Sequence, residues 1–195
     1  MIKAIIFDFF GVIVGDGFDA TYRYAGGDPE ADRDFIETLL EQSNRGLIST
    51  KEFRSRICSR LNISVEQYKA SVKKSEQPNL ELLEYIKKLR RNYKTAILSN
   101  VGRDGLERRI KREVLNQYFD VTVVSADVGF IKPEPQIYEL TAKKLGVEPS
   151  ECIFTDDREG YVSAAANVGI KAFIYKDFAQ AKAEIEKLLS AGADN

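Results

Sequence analysis

The side chains best suited to chemistry follow four short apolar segments of the chain. They supply three carboxylates, a hydroxyl, an amide and an ammonium group, from Asp8, Ser99, Asn100, Lys132, Asp156 and Asp157. Three neighbouring carboxylates repel one another unless a cation lies between them, and oxygen atoms are the ligands that Mg²⁺ prefers. Ser99 and Asn100 could bind phosphate oxygens, and Lys132 could neutralise negative charge. An ionised Asp8 beside a metal-bound phosphate would be a competent nucleophile.

Five short apolar segments are typical of buried parallel strands, because each is β-branched or aromatic and is followed by polar residues or glycine. They cover residues 4–7, 95–98, 121–124, 152–154 and 172–175. Helical patterns over residues 79–93, 134–145 and 179–189 alternate with them. This alternation predicts an α/β fold, a Rossmann-like parallel sheet of five strands flanked by helices. Ligands of such sheets bind beyond the carboxyl ends of the strands, where the polar side chains above should meet.

One stretch interrupts the alternation of strands and helices. It has no convincing strand, and instead it has three signals for helix starts, at Asp28-Pro29, Ser49 and Ser64. The last two begin capping boxes, and the first combines a capping residue with a proline in the first turn. We therefore expect a small all-α cap inserted after the first strand. The expected division is a catalytic core of residues 1–14 and 78–195 and a cap of residues 15–77.

Composition narrows the possible functions. The 195 residues include 29 basic and 30 acidic side chains, so no overall basic field exists to hold nucleic acid or an anionic membrane. The absence of histidine removes Ser-His-Asp and Cys-His hydrolases and histidine-ligated zinc. Cys58 and Cys152 form no metal or redox motif, which favours a reduced, cytoplasmic compartment. No apolar stretch approaches the length of a membrane span.

Four motifs, taken together and in order, resemble those of the haloacid dehalogenase superfamily. They are Phe7-Asp8-Phe9-Phe10-Gly11-Val12, Leu98-Ser99-Asn100, Ile131-Lys132-Pro133-Glu134 and Phe154-Thr155-Asp156-Asp157. Their order, spacing and strand contexts match the phosphatase type of that family over most of the chain. The resemblance implies a Mg²⁺-dependent phosphohydrolase that acts on a small phosphorylated metabolite through an aspartyl-phosphate, with a helical cap after the first strand.

The resemblance also implies a nucleophile and a set of metal ligands. Asp8 would be the nucleophile and would bind Mg²⁺ as well. The backbone carbonyl of Phe10 would be a second metal ligand. Asp157 would bind the metal directly, and Asp156 would bind it directly or through water.

The remaining motif residues would bind the phosphate, and one of them departs from the family pattern. Ser99 and Asn100 would hold the phosphate, Lys132 would be the motif lysine, and Phe10 would line the site. Phosphatases of the family usually carry a second Asp at position 10, which protonates the leaving oxygen and then activates water. Such acid-base help is worth roughly 10²–10⁴-fold in rate. Without it, substrates with good leaving groups should be favoured, such as acyl, anomeric sugar and aryl phosphates.

Two alternative functions remain open on the residues alone. An aromatic residue at position 10 is similar to the true haloacid dehalogenases, which need no metal, although those enzymes do not need the paired acids of the fourth motif. Loss of the acid-base residue also fits a catalytically weak relative that binds a phosphorylated ligand or a protein partner.

Two further groups of charged residues are interpreted as solvated surface. Asp16 and Asp19 lie just downstream of the first motif, where the chain would enter the cap, and they are interpreted as solvated loop acids rather than as replacements for the missing Asp. The basic cluster of residues 108–112 has aliphatic residues at helical spacing, which is typical of the exposed face of a helix.

Overall fold

Five parallel strands form one sheet in the order β3-β2-β1-β4-β5. The strands are β1 (Ala4–Phe7), β2 (Lys94–Ser99), β3 (Val121–Val124), β4 (Cys152–Asp156) and β5 (Lys171–Ile174). The computed structural model describes residues 1–15 and 17–191. Each predicted strand segment forms a strand, with bounds that shift by at most two residues, so the predicted α/β fold class is confirmed.

Ten α-helices lie in the described part of the chain. They are α1 (Gly17–Tyr24), α2 (Arg33–Asn44), α3 (Thr50–Leu61), α4 (Val65–Ser75), α5 (Leu80–Leu89), α6 (Arg112–Tyr118), α7 (Ser125–Val128), α8 (Pro135–Leu145), α9 (Glu159–Asn167) and α10 (Phe178–Ser190). None of these described helices combines the length and the apolar character needed to cross a bilayer.

The sheet is covered by helices on both faces, and the alternation of side chains along β1 shows how. Ile5 and Phe7 pack into one apolar cluster, which α5 and α10 complete with residues such as Leu82. Ile6 packs into the opposite cluster, which α8 completes with residues such as Ile137. Because both faces of the central strands are buried, these strands read as continuous apolar segments.

Helices α1 to α4, which we call the insert, pack around an apolar cluster of their own. The buried part of this cluster includes Tyr22, Leu39, Phe53, Ile57 and Tyr68. A fully buried side chain of this kind contributes about 1.5–3 kcal/mol. The insert therefore has its own source of stability and does not depend on the sheet for burial of its apolar faces.

The helix starts within the insert agree only partly with the predicted ones. Ser49 caps α3 and Ser64 forms a full capping box at α4, as predicted. The prediction at Asp28-Pro29 was wrong, because α2 begins at Arg33. The Asp28 carboxylate accepts hydrogen bonds from the backbone N–H groups of the two residues after Pro29, so it stabilises a turn before the helix. No start signal in the sequence indicated α1.

The chain enters and leaves the insert at neighbouring points. Val14 pairs with Pro78 in an isolated β-bridge. On either side of this bridge, the N–H of Gly15 donates to the carbonyl of Gln77 and the N–H of Asn79 donates to the carbonyl of Ile13, both at 2.9 Å. The predicted boundaries between core and cap fall at this paired crossing. The division itself remains a proposal.

Candidate active site

Three carboxylates lie together at the carboxyl ends of two neighbouring strands. Asp8 follows β1, Asp156 ends β4, and Asp157 is the next residue. Ligand oxygens of all three lie within 4.8 Å of one another. The strand order reverses between β1 and β4, which is the position where open α/β sheets bind ligands. The predicted clustering of the three acids is therefore found in the structure.

A buried ammonium group lies among these carboxylates. The Nζ atom of Lys132 is 2.7 Å from Oδ1 of Asp8 and 2.5 Å from Oδ2 of Asp156. The other oxygen of Asp156 accepts a hydrogen bond from the backbone N–H of Arg158. Asp156 thus has both oxygens engaged by protein donors, whereas Asp157 is exposed. Asp157 is the acid with more freedom to bind a cation directly.

The pKa values of these groups reflect first their burial and then the neighbouring charges. Burial raises the pKa of Asp8 from 3.8 to about 7, with Lys132 opposing the rise and Asp156 adding to it. Desolvation and the adjacent Asp156 raise the pKa of Asp157. Burial alone would lower the pKa of Lys132, but the carboxylates of Asp8 and Asp156 outweigh it and raise that pKa. One lysine does not balance three acids, and a divalent cation bound by carboxylate oxygens would.

The two residues of the second motif differ in what their side chains do. The amide of Asn100 donates to the carbonyl of Lys132 and accepts from the N–H of Lys132, both at 2.8 Å, so it fixes the loop that carries the lysine. Ser99 is fully buried at the end of β2. Its hydroxyl, like that of Thr155 in β4, has no hydrogen-bond partner within residues 1–15 and 17–191. The Ser99 hydroxyl is therefore uncommitted, whereas the Asn100 amide is already engaged.

The turn after β1 carries the remaining predicted ligand. No hydrogen bond to the carbonyl of Phe10 occurs among the described residues, although the carbonyl of Phe9 accepts two. Gly11 has φ +79°, and a Cβ at this position would lie 2.5 Å from Oδ2 of Asp157. The positive φ favours glycine here, and the missing side chain leaves room for the Asp157 carboxylate beside the turn. The donor set of three carboxylates and one uncommitted carbonyl suits Mg²⁺.

A cavity of about 830 Å³ separates this edge of the sheet from the insert. Five of the predicted site residues line it, namely Asp8, Phe10, Asn100, Lys132 and Asp157. Ser99 and Asp156 lie beneath its surface and have no exposed area. We call the side formed by these residues the core wall and the opposite side, formed by α1 to α4, the insert wall.

Several residues that line the cavity were not predicted from the sequence as site residues, because they belong to no motif. The ring of Tyr161 lies 5.0 Å from Nζ of Lys132 and covers the buried lysine. Arg158 stacks on the same ring, 5.5 Å from its centre. Arg109 stacks on Phe10 at 4.8 Å and pairs through two nitrogens with Glu76, the residue that follows α4.

Two interpretations of charged residues as solvated surface need correction. Residues 103–109 form turns, and α6 begins at Arg112, so Arg109 does not lie on an exposed helix face. Asp19 lies on α1, is half-buried and lines the cavity. It is therefore not a solvated loop acid. Asp16 lies outside the described residues.

Comparison with known proteins defines the class. The family of haloacid dehalogenase-like hydrolases matches residues 2–169, so the chain belongs to this family and is a hydrolase. The chain is 28% identical to D-ribitol-5-phosphate phosphatase of Bacteroides thetaiotaomicron over 206 aligned positions, which cover 98% of this chain and 100% of that protein.

Solved structures agree with this assignment. A family enzyme from Bacteroides thetaiotaomicron, crystallised with magnesium and inorganic phosphate, is 25% identical with a TM-score of 0.74, covering 90% of this chain and 95% of that one. A HAD-like hydrolase of Porphyromonas gingivalis has a TM-score of 0.77 at 23% identity, covering 97% of this chain and 98% of that one, which supports the fold.

Proposed function

We propose that this hydrolase is a Mg²⁺-dependent phosphatase of small phosphorylated metabolites. The observation that carries the proposal is the cluster of Asp8, Asp156 and Asp157 around Lys132, at the core wall of a cavity large enough for a metabolite. The similarity to a D-ribitol-5-phosphate phosphatase over the full length of that protein supports it.

In the proposed reaction, Asp8 is the nucleophile. One of its oxygens accepts from Lys132, and the other attacks phosphorus as the bond to the leaving oxygen breaks, which yields an aspartyl-phosphate. Water then attacks phosphorus, the bond to the Asp8 oxygen breaks, and inorganic phosphate leaves. Lys132 offsets the charge of the phosphoryl group and of the carboxylate in both steps.

Asp8, Asp157 and the carbonyl of Phe10 would hold the magnesium ion, with Asp156 binding it directly or through water. The bound ion would supply positive charge for the phosphate oxygens. Asn100 contributes indirectly, since its amide keeps the Lys132 loop in place. The hydroxyl of Ser99 lacks a partner in the described part of the chain, and we propose that it binds the phosphate.

Phe10 restricts the leaving groups in this proposal. Its ring lines the cavity and has no proton to give to a leaving oxygen. Substrates whose leaving oxygen is stable as an anion would react without this help, so aryl, acyl and anomeric sugar phosphates are the expected classes. A metal-independent dehalogenase would explain Phe10 but would leave the paired acids Asp156 and Asp157 beside Asp8 without a role.

Hydrolysis of p-nitrophenyl phosphate tests the proposal, because the nitrophenolate leaving group needs no acid. We expect turnover with Mg²⁺, loss of turnover with EDTA, and a fall of about 10³-fold or more in Asp8→Asn. Asp127→Asn is the matched control, since Asp127 is exposed on α7 and does not line the cavity. Equal activity of the two variants would exclude Asp8 as the nucleophile. Tight phosphate binding without turnover would indicate a binding protein.

A further inference from the structure

The insert wall of the cavity is richer in basic than in acidic residues. On α4, the side chains at positions 68, 69, 72 and 73 form one helix face that lines the cavity, and α3 adds Arg54. Together with Glu76, which follows α4, and the adjoining turns of residues 103–109, this side of the lining has five basic and two acidic residues, namely Arg54, Lys69, Lys73, Arg108 and Arg109 against Asp19 and Glu76. The whole chain has a net charge of -1, so this excess is local.

One of the two acids is already neutralised inside the protein. Glu76 receives two nitrogens of Arg109, and the third nitrogen of that guanidinium donates to the carbonyl of Gly105 at 2.7 Å. The charges of Arg109 and Glu76 are therefore neutralised by each other within the protein. Arg54, Lys69 and Lys73 have no ion-pair partner among the residues that the structure describes. These three cations remain available to a ligand.

Tyr68 gives an independent indication of a ligand on the same wall. It is only 7% exposed, yet it lines the cavity. Its ring packs in the apolar cluster of the insert, but no hydrogen bond of its hydroxyl occurs within the described ranges. Burial raises the pKa of Tyr68 to about 12, so the hydroxyl stays protonated and can donate. Because the hydroxyl is open to the cavity and is not enclosed by protein, an anion in the cavity can accept its hydrogen bond.

From this arrangement we infer that the cavity takes phosphomonoesters that carry a second anionic group, either a carboxylate or a second phosphate. The inference rests on the proposed function, because the phosphoryl group is taken to lie at Asp8. The second anion would accept a hydrogen bond from Tyr68 and lie near Arg54, Lys69 and Lys73. Attraction to these three cations, together with the hydrogen bond from Tyr68, would select such substrates over neutral ones.

A pair of aryl phosphates that differ only in distal charge tests the inference. The probes are para-carboxyphenyl phosphate and its neutral isostere para-carbamoylphenyl phosphate, with para-phenylene bisphosphate as the second-phosphate arm. The carbamoyl group withdraws electrons at least as well as carboxylate, so leaving-group quality favours the neutral probe. We expect the charged probes to have a kcat/KM higher by about tenfold.

Variants on the insert wall connect the preference to named residues. Lys73→Gln, Arg54→Gln and Tyr68→Phe should each reduce the ratio of the kcat/KM of the carboxyl probe to that of the carbamoyl probe. Lys74→Gln is the matched control, because Lys74 is on the same helix but lies over the ring of Tyr24, 4.0 Å from its centre, and does not line the cavity. It should keep the full preference.

Binding to Asp8→Asn separates failure of this inference from failure of the proposed function. Calorimetry with the three probes measures the distal contact without turnover, and a lower Kd for the charged probes would support the inference even if no phosphate is released. Equal Kd and equal kcat/KM for the carboxyl and carbamoyl probes would overturn it. If the unaltered protein shows no Asp8-dependent hydrolysis but the binding preference is intact, the proposed function alone is overturned.

Discussion

The two walls of the cavity are built from different kinds of residues. On the core wall, chemistry depends on buried groups held by the sheet, such as Asp8 at 6% exposure and the fully enclosed Asp156. On the insert wall, charged side chains lie on helix faces and most are half-buried or exposed, as Lys69 and Lys73 are. On the core wall, Lys132 offsets one of the three carboxylate charges, and a single divalent cation would offset the other two. The insert wall has several charges that the described protein does not balance.

From this difference we expect the core wall to carry out the reaction and the insert wall to select the substrate. Groups at strand ends are fixed by backbone pairing on both sides, so their geometry suits a reaction that needs atoms at defined distances. Side chains on helix faces can change without disturbing the sheet, so they suit a wall that determines which substrate is accepted. We expect substitutions on the core wall to affect stability and rate together, and substitutions on the insert wall to affect the choice of substrate.

The strongest test of this contrast is Lys132→Met. Removing the ammonium leaves Asp8 and Asp156 without their shared cation, and we expect a loss of about 3–5 kcal/mol in the free energy of unfolding. Added Mg²⁺ should restore part of it, because a cation between the carboxylates replaces the lost charge. Urea unfolding with and without Mg²⁺ measures both effects. Lys143→Met, at an exposed site on α8, is the control, and an equal loss in the two variants would contradict the expected role of the buried ammonium.

A smaller effect is expected where the two walls meet. Arg109→Gln removes the partner of Glu76, whose side chain is 6% exposed, and should cost about 1–3 kcal/mol in unfolding free energy. Arg108→Gln should cost about 0.5 kcal/mol or less, since its contact with Asp104 is exposed and 3.9 Å long. Thermal unfolding of the two variants under one set of conditions compares them directly. If Arg108→Gln lowered the free energy of unfolding more than Arg109→Gln, the ion pair of Arg109 and Glu76 would not be the stabilising contact between core and insert that we expect.

The smallest expected effect concerns the leaving group. Phe10→Asp introduces a carboxyl group at the cavity and should raise the kcat/KM of alkyl relative to aryl phosphates by about tenfold, well below the roughly 10²–10⁴-fold of a positioned acid-base residue. Phe10→Asn has a similar shape but no titrating proton, so it should leave that ratio unchanged. The ratio of the two kcat/KM values is the measurement, and a rise of equal size in both variants would show that steric relief is the cause.

The sequence was most informative for the core wall, because its residues are tied to strands. Parallel strands all end at the same edge of the sheet, so the sequence alone predicts that Asp8, Lys132 and Asp157 lie together. The role of Asn100 could not be foreseen in this way. Its amide engages the backbone of Lys132, a contact over 32 positions of sequence that no local pattern encodes.

The insert was harder to predict, because local signals there have more than one outcome. Ser49 and Ser64 cap helices as expected, whereas the same chemistry at Asp28 stabilises a turn. Helix α1 was missed because its eight residues are too few for a helical period to be recognised in the sequence. It is held by contacts with α4, including a hydrogen bond between Thr21 and Ser75.

The paired crossing at Val14 and Pro78 has a consequence for how the chain folds. Strands β1 and β2 are neighbours in the sheet, but the whole insert separates them in sequence. Pairing two distant segments of a flexible chain carries a loop-closure entropy that grows with the length between them. Once the insert has packed around its own apolar cluster, its two ends are already adjacent at the bridge. The effective loop between β1 and β2 then shrinks to residues 8–14 and 78–93. Four helices that add no strand to the sheet therefore lower the entropic cost of pairing β1 with β2.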